Sequence, residues 1–224
     1  MALRLVIGNK NYSSWSLRPW LLLRHAGIEF IEDKLSFNDP QFKAKVQRWS
    51  PAGKVPVLVD HDRGDLVVWD SLAIAEYLAE RFADKALWPA DLAARACARA
   101  VCAEMHAGFG HLRSQMGMNV TAQLPGRGWN LTVQADIDRI SAIWTGMRAR
   151  HGAAGSFLFG RFSVADAYFA PVVWRFNTYR PALAQSVTDY MQTMLALPAM
   201  REWAAAAAQE DDFVAEDEPY RARP

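Results

Sequence analysis

Cysteine is scarce in this chain of 224 residues: only Cys97 and Cys102 occur. Two thiols cannot build a disulfide framework, and their spacing in an alanine-rich helical stretch sets them on different helix faces. The first half has no cysteine at all, so it carries no C-x-x-C motif, and redox chemistry by the protein's own thiols is disfavoured. Charge of one sign is missing too. Lys plus Arg number 25 against 24 Asp plus Glu, net +1, which argues against nucleic acid and anionic membrane as partners. No apolar run is long enough to cross a bilayer. The start, "MALRLVIGNKNY", carries Arg4 and breaks at Gly8 and Asn9, so a signal peptide is not expected and a cytoplasmic, reducing location is. In that setting the tripeptides beginning at Asn11, Asn119 and Asn130 fit the glycosylation pattern only by chance. His106 and His111 bracket "AGFG" without an acidic partner at ligand spacing, so no metal is expected and both read as packing or surface residues. A G-x-S-x-G elbow is absent, which makes a serine hydrolase a poor fit. There are no internal repeats.

What is present is apolar: 51% of the residues are hydrophobic, enough for one large core or two modest ones. From Leu3 to about Phe82 the pattern is mixed. A strand-like "LRLVIG" leads to a helix ending near His25, and "IEFIED" supplies β-formers at Ile28, Phe30 and Ile31, which together make a β-α-β unit. A second helix is expected over 40–49. The runs "VPVLVD" and "LVVWD", separated by "HDRGD", then predict an antiparallel hairpin, and "SLAIAEYLAERF" a third helix. Beyond a junction at 84–91 the strand signals stop. Apolar residues at helical spacing run to about Ala208, interrupted by the loop "TAQLPGRGWNLT". "SVAD", at 163–166, has the spacing of a capping box and is structural in this reading. The tail "EDDFVAEDEPYRARP" mixes charges with two prolines and is expected to be partly mobile.

Three places concentrate chemistry. In "NYSSWSLRPW" adjacent serines stand where a strand gives way to a helix, whose unpaired N–H groups favour negative charge. Val55-Pro56 opens a strand with a residue that lacks the ladder donor. Such a proline, often cis, leaves the preceding backbone edge free to pair with a peptide. Asp70-Ser71 stands before the third helix, a second anion-receptive start. Taken singly, each pair of polar residues is an ordinary helix cap.

In order and spacing, "SSWSLRPWLLL", "SPAGKVPVLVD", "WDSLAIAEYLAERF" and "GRFSVADAYFAPVVWR" resemble a cytosolic glutathione transferase of the serine type, most similar to zeta and theta-like members. The resemblance covers essentially the whole chain. It implies an α/β plus all-α fold: a thioredoxin-like βαβαββα domain over 1–83 and an all-helical bundle over 90–224. It also implies glutathione as co-substrate, with no metal, a small hydrophobic electrophile as partner, and a homodimer. A serine hydroxyl would activate the glutathione thiol for conjugation or for zeta-like isomerisation. Counting back from Gly27 lands on Ser13, with Ser14 beside it, so both are candidates. Val55 would pair its backbone with the glutathione cysteine and Pro56 would be cis. Asp70 and Ser71 would hold the γ-glutamyl end, and Lys54 would reach the glycine carboxylate. Met105, Phe109 and Arg175 would line the electrophile pocket, with Met116, Met118, Trp174 and Tyr179 alongside. Arg18, one turn into the first helix, would face the site or form an ion pair. Two departures stand out. Trp15 occupies the place of the zeta-class cysteine, and Asp70 that of a common glutamate. The rival is a non-catalytic binding or assembly protein on the same fold.

Overall fold

The structure, a computed structural model, describes residues 2–222. Its first part is a four-stranded mixed sheet. β1 (Leu3–Ile7) runs parallel to β2 (Ile31–Lys34), with Arg4 beside Ile31, and antiparallel to β3 (Val57–Asp60), with Leu5 opposite Leu58. β4 (Leu66–Trp69) closes the order β2-β1-β3-β4 by pairing with β3. A parallel neighbour needs a crossover, and α1 (Ser14–His25) supplies it. The helix α2 (Phe42–Gln47) is shorter than the sequence suggests, and α3 (Ser71–Arg81) follows the hairpin directly. Ile28 and Phe30 enter the core from the loop before β2 rather than from the strand itself.

The remainder is helical: α4 (Leu92–Ala107), α5 (Gly110–Gln115), α6 (Leu131–His151), α7 (Val164–Tyr179), α8 (Gln185–Leu195) and α9 (Pro198–Ala207). Among the described residues no helix is long and apolar enough to cross a membrane. The junction after α3 is packed down: Leu87 and Trp88 are buried, the Trp88 indole donates to Glu76, and the Leu87 carbonyl accepts from Val164.

Two helices that are buried around almost their whole circumference explain how the parts join. α1 buries the continuous run from Ser16 to Leu23, and α7 buries all of its residues except the half-buried Asn177. A helix with no solvated stripe must be covered on several sides. Here α1 lies against α3, α7 and α9, while α7 lies against α1, α4 and α8. Around them pack Trp20, Trp144, Phe169, Tyr190 and Trp203 in one continuous core.

The expected capping box heads α7. Asp166 accepts from the Ser163 N–H (2.9 Å), the Leu158 N–H (3.1 Å) and the Tyr190 hydroxyl (3.0 Å). Burial pushes this carboxyl up to about 6, and the donors hold it down. The tail expected to be partly mobile is hydrogen-bonded at several points, its last two residues lying outside the described ones. Glu210 accepts from the N–H groups of Lys10 and Asn11, Asp212 from the Asn9 amide and Ser36 hydroxyl, and Glu218 from the Tyr12 hydroxyl. Residues 209–221 thus form a strap across the loop after β1. Its acidic composition, which suggests solvation, is matched instead to donors from the far end of the chain.

Asp166→Ala leaves at least three buried donors unpaired and is expected to cost about 3–5 kcal/mol. At roughly 2–4 °C per kcal/mol for a chain of this size, the thermal midpoint should fall by about 10 °C. Calorimetric melting of the variant checks this.

Candidate functional site

The turn from β1 into α1 is tied by a buried hydroxyl. Ser16 Oγ accepts from the Gly8 N–H (3.1 Å) and from the Ser13 hydroxyl (2.7 Å). Ser13 therefore spends its single proton inward. The Ser14 hydroxyl has no partner among the described residues, and neither do the N–H groups of Trp15 and Ser16 that follow it. The head of α1 consequently combines a free O–H donor with the positive end of a helix. The Phe37 ring lies against Gly8, where any Cβ would overlap it.

Val55-Pro56 is cis, and the Val55 N–H and C=O have no partner among the described residues. This open edge faces the space between α1 and α3. At the head of α3, Asp70 has φ +74°, a conformation that costs a non-glycine residue of order 1–3 kcal/mol and that Asp and Asn tolerate best. Its carboxylate caps the helix by accepting from the Leu72 N–H at 2.8 Å. That tolerance is a physical reason for a short acid here.

Two cavities of about 350 and 380 Å³ adjoin, sharing Trp15, Lys54 and Val55. The first is lined further by Pro56, Trp69, Asp70, Ser71 and His106. Tyr12, Ser13, Ser14, Phe37, Arg113, Met118, Arg175 and Asp217 line the second. Trp15 is thus a wall common to both.

The second cavity is cationic on one side. Arg175 is buried, donates through Nε to the Met116 carbonyl (2.8 Å), and has no acceptor for Nη1. Burial, then the guanidiniums of Arg113 and Arg18, lower it to about 9, so it stays charged at neutral pH. Asp217, from the strap, is pushed up to about 6 by burial and by Glu216, against the pull of Arg175. Arg18 is wholly buried, and none of its three nitrogens has a hydrogen-bond partner among the described residues. Its guanidinium lies over the rings of Trp15 (4.1 Å) and Tyr168 (4.5 Å) instead, and burial lowers it to about 10. Arg113 covers Trp15 as well, at 4.7 Å.

The sequence-derived candidates fall into two groups. Ser13, Ser14, Lys54, Val55, Pro56, Asp70, Ser71, Arg175 and Met118 line the cavities. Met105 and Phe109 lie in the core, along with Met116, Trp174 and Tyr179, and line neither cavity. Helical spacing finds the apolar face of a helix without telling a cavity wall from packed interior. Arg18 has neither the open position nor the ion pair expected of it. Sequence reasoning missed Trp15 as a shared wall, Arg113, Asp217 and His106. His106 Nε2 lies 3.4 Å from Asp70 Oδ2, and its ring meets Trp15 edge-on. No local signal marked that histidine, because its partners come from the other domain. Among the described residues no cluster of His, Cys, Asp and Glu that would hold a metal occurs.

Comparison with known proteins shows the family and the fold. The family model described as "Glutathione S-transferase, N-terminal domain" matches residues 12–81, and "Glutathione S-transferase, C-terminal domain" matches 79–206. A probable maleylacetoacetate isomerase from Caenorhabditis elegans is 28% identical over 192 residues, covering 83% of this chain and 85% of the relative. Glutathione S-transferase Z1 of Arabidopsis thaliana is 39% identical over 93 residues, 39% of this chain and 40% of its own. Among solved structures, a glutathione transferase homolog from Burkholderia gl BGR1 with bound glutathione superposes with a TM-score of 0.70 at 22% identity, covering 94% of this chain and all of the other.

The folded-state value of Asp217 lies above the ordinary 3.8, so folding favours its protonated form. That contribution is complete below about pH 4 and is lost as pH rises through 6. Asp217→Asn removes the titration. Relative to the unaltered protein, the variant should gain stability between pH 4 and 7, as read from paired denaturant melts.

Proposed function

Since the chain belongs to the glutathione S-transferase family, we propose that it binds glutathione along the Val55 edge and activates its thiol through the Ser14 hydroxyl. The carrying observation is the head of α1, where Ser14 keeps a free O–H while Ser13 donates to Ser16. A free thiol has a pKa of about 8.5, and ionising most of it near neutrality needs about 3 kcal/mol. A hydrogen bond to a charged acceptor contributes about 1.5–3 kcal/mol and a helix N-terminus about 0.3–1, so the two together suffice. Ser14 stays neutral throughout and donates its proton without transferring it.

Each remaining residue has a part in this reading. The Val55 N–H and C=O pair with the backbone of the tripeptide's cysteine, next to the cis Pro56. Ser71 and Asp70 take the carboxylate and ammonium of the γ-glutamyl end, and Lys54 takes the glycine carboxylate. The chemistry is attack of sulfur on an electrophilic carbon, with a leaving group departing, or reversible addition to a double bond that isomerises the alkene. Arg175 and Arg113 favour an electrophile that carries a carboxylate, because a buried guanidinium with a free N–H gains most from an anion. Maleylacetoacetate, the compound in the name of the C. elegans relative, is of that kind. The working unit is a cytoplasmic homodimer, with the glutathione-binding domain over 1–83 and the helical domain over 90–224.

Glutathione-resin retention followed by turnover of a chloronitroarene tests the proposal, and retention with no turnover across an electrophile panel supports a non-catalytic binder instead. Ser14→Ala should lower kcat/KM at neutral pH by roughly 10- to 100-fold and raise the bound thiol's pKa, followed by thiolate absorbance. Ser13→Ala should stay within about threefold, and the reverse order would reject the assignment of Ser14. Arg175→Met should cut the ratio of turnover on carboxylated over neutral electrophiles by about tenfold, measured side by side.

A further inference from the structure

Ser71, at the head of α3, does not stand alone. Its oxygen lies 2.9 Å from the hydroxyl of Tyr168, a buried residue of α7 in the helical domain. Each hydroxyl has one proton, and either is able to donate across this contact. The direction matters. A Ser71 proton given to Tyr168 is not available to a ligand, whereas a Tyr168 proton given to Ser71 leaves the serine's own free to point into the first cavity.

Two features set that direction. The Arg18 guanidinium lies over the Tyr168 ring, and none of its nitrogens has an acceptor among the described residues, which supply no counter-charge at hydrogen-bond distance to cancel its field. A cation on the ring face withdraws electron density and makes the phenol a stronger donor. A carboxylate arriving at Ser71 also draws the serine proton, because a hydrogen bond to an ionised acceptor is about twice as strong as one between neutral groups. His106 lies alongside: Nδ1 is 3.4 Å from the Tyr168 oxygen, a longer contact than the 2.9 Å to Ser71, so the serine is the better-placed acceptor for the phenol proton, and Nε2 lies 3.4 Å from Asp70 Oδ2. Asp70, His106, Tyr168 and Ser71 thereby close a ring over the start of α3, half of it contributed by the helical domain.

We propose that Tyr168 is a positioning residue which, by donating to Ser71 Oγ, aims the Ser71 proton at the γ-glutamyl carboxylate and makes the helical domain a determinant of selectivity for γ-glutamyl thiols. The inference rests on the reading of Ser71 as a glutathione ligand. It places no new group on the substrate. Tyr168 acts only through Ser71, so it matters only to thiols that carry the γ-glutamyl end.

The experiment is titration calorimetry and steady-state kinetics on the full chain, with glutathione and with cysteinylglycine, which lacks the γ-glutamyl group. Tyr168→Phe should weaken glutathione binding and raise its KM by about five- to tenfold while kcat at saturation moves less than twofold. Cysteinylglycine affinity should be unchanged. In the Ser71→Ala background, Tyr168→Phe should cause no further loss. Arg18→Lys, which keeps the charge but not the flat contact with the ring, gives an independent route to the same selective loss should Tyr168→Phe melt at a markedly lower temperature. Equal losses for both thiols, unchanged glutathione affinity, or losses that multiply in the double variant would overturn the proposal. An unaltered protein that binds the two thiols equally would instead overturn the assignment of Ser71 beneath it.

Discussion

The buried hydroxyl of Ser16 is the constraint from which the site follows. By accepting both the Gly8 N–H and the Ser13 O–H, it folds the chain back as β1 ends and sets the angle at which α1 begins. The turn is satisfied this way from inside the helix, and the N–H groups of Trp15 and Ser16 and the Ser14 hydroxyl remain unspent among the described residues. Helices usually quench their own ends with the first available serine. Here the first serine is diverted, and the electrostatic potential of the helix end stays available at a cavity. Such a trade, local satisfaction given up where chemistry is wanted, is common at functional sites.

Much of this was legible in the order of residues. The period-two runs, the hairpin around "HDRGD" and the "SVAD" cap are local signals, and the corresponding strands, hairpin and capping box all appear. Val55-Pro56 and Asp70-Ser71 were legible for a related reason, since proline and a polar cap are conspicuous at the start of an element. Arg113, Asp217 and His106 were invisible because each matters through partners distant in the chain. His106 in particular sits in an ordinary helical stretch, and only the closure of α4 onto the head of α3 gives it an acid. Met105 and Phe109 pack in the core and line neither cavity, and apolar periodicity has no vocabulary for the difference between a filled interior and a wall.

The basic residues around the crevice are handled unusually. Arg18 and Arg175 are buried with no carboxylate at hydrogen-bond distance among the described residues. Burying a cation is costly, and the usual remedy is an ion pair. Aromatic faces take part of that role for Arg18, whose guanidinium meets Trp15 and Tyr168. Because a ring has no net charge, it steadies the cation without cancelling its field. The result is a site with standing positive potential, which the Asp217 carboxylate, its acidity weakened by burial, meets from the strap.

The strap of residues 209–221 has a temporal meaning. It supplies Asp217 to the second cavity and locks onto the loop after β1 through Glu210, Asp212 and Glu218. A ribosome releases that segment only after the sheet and all the helices have emerged. The crevice therefore cannot be completed before synthesis has passed Asp217, however well the earlier parts have folded. Its last wall closes like a clasp, joining a late-made stretch of polypeptide to the loop that follows the first strand.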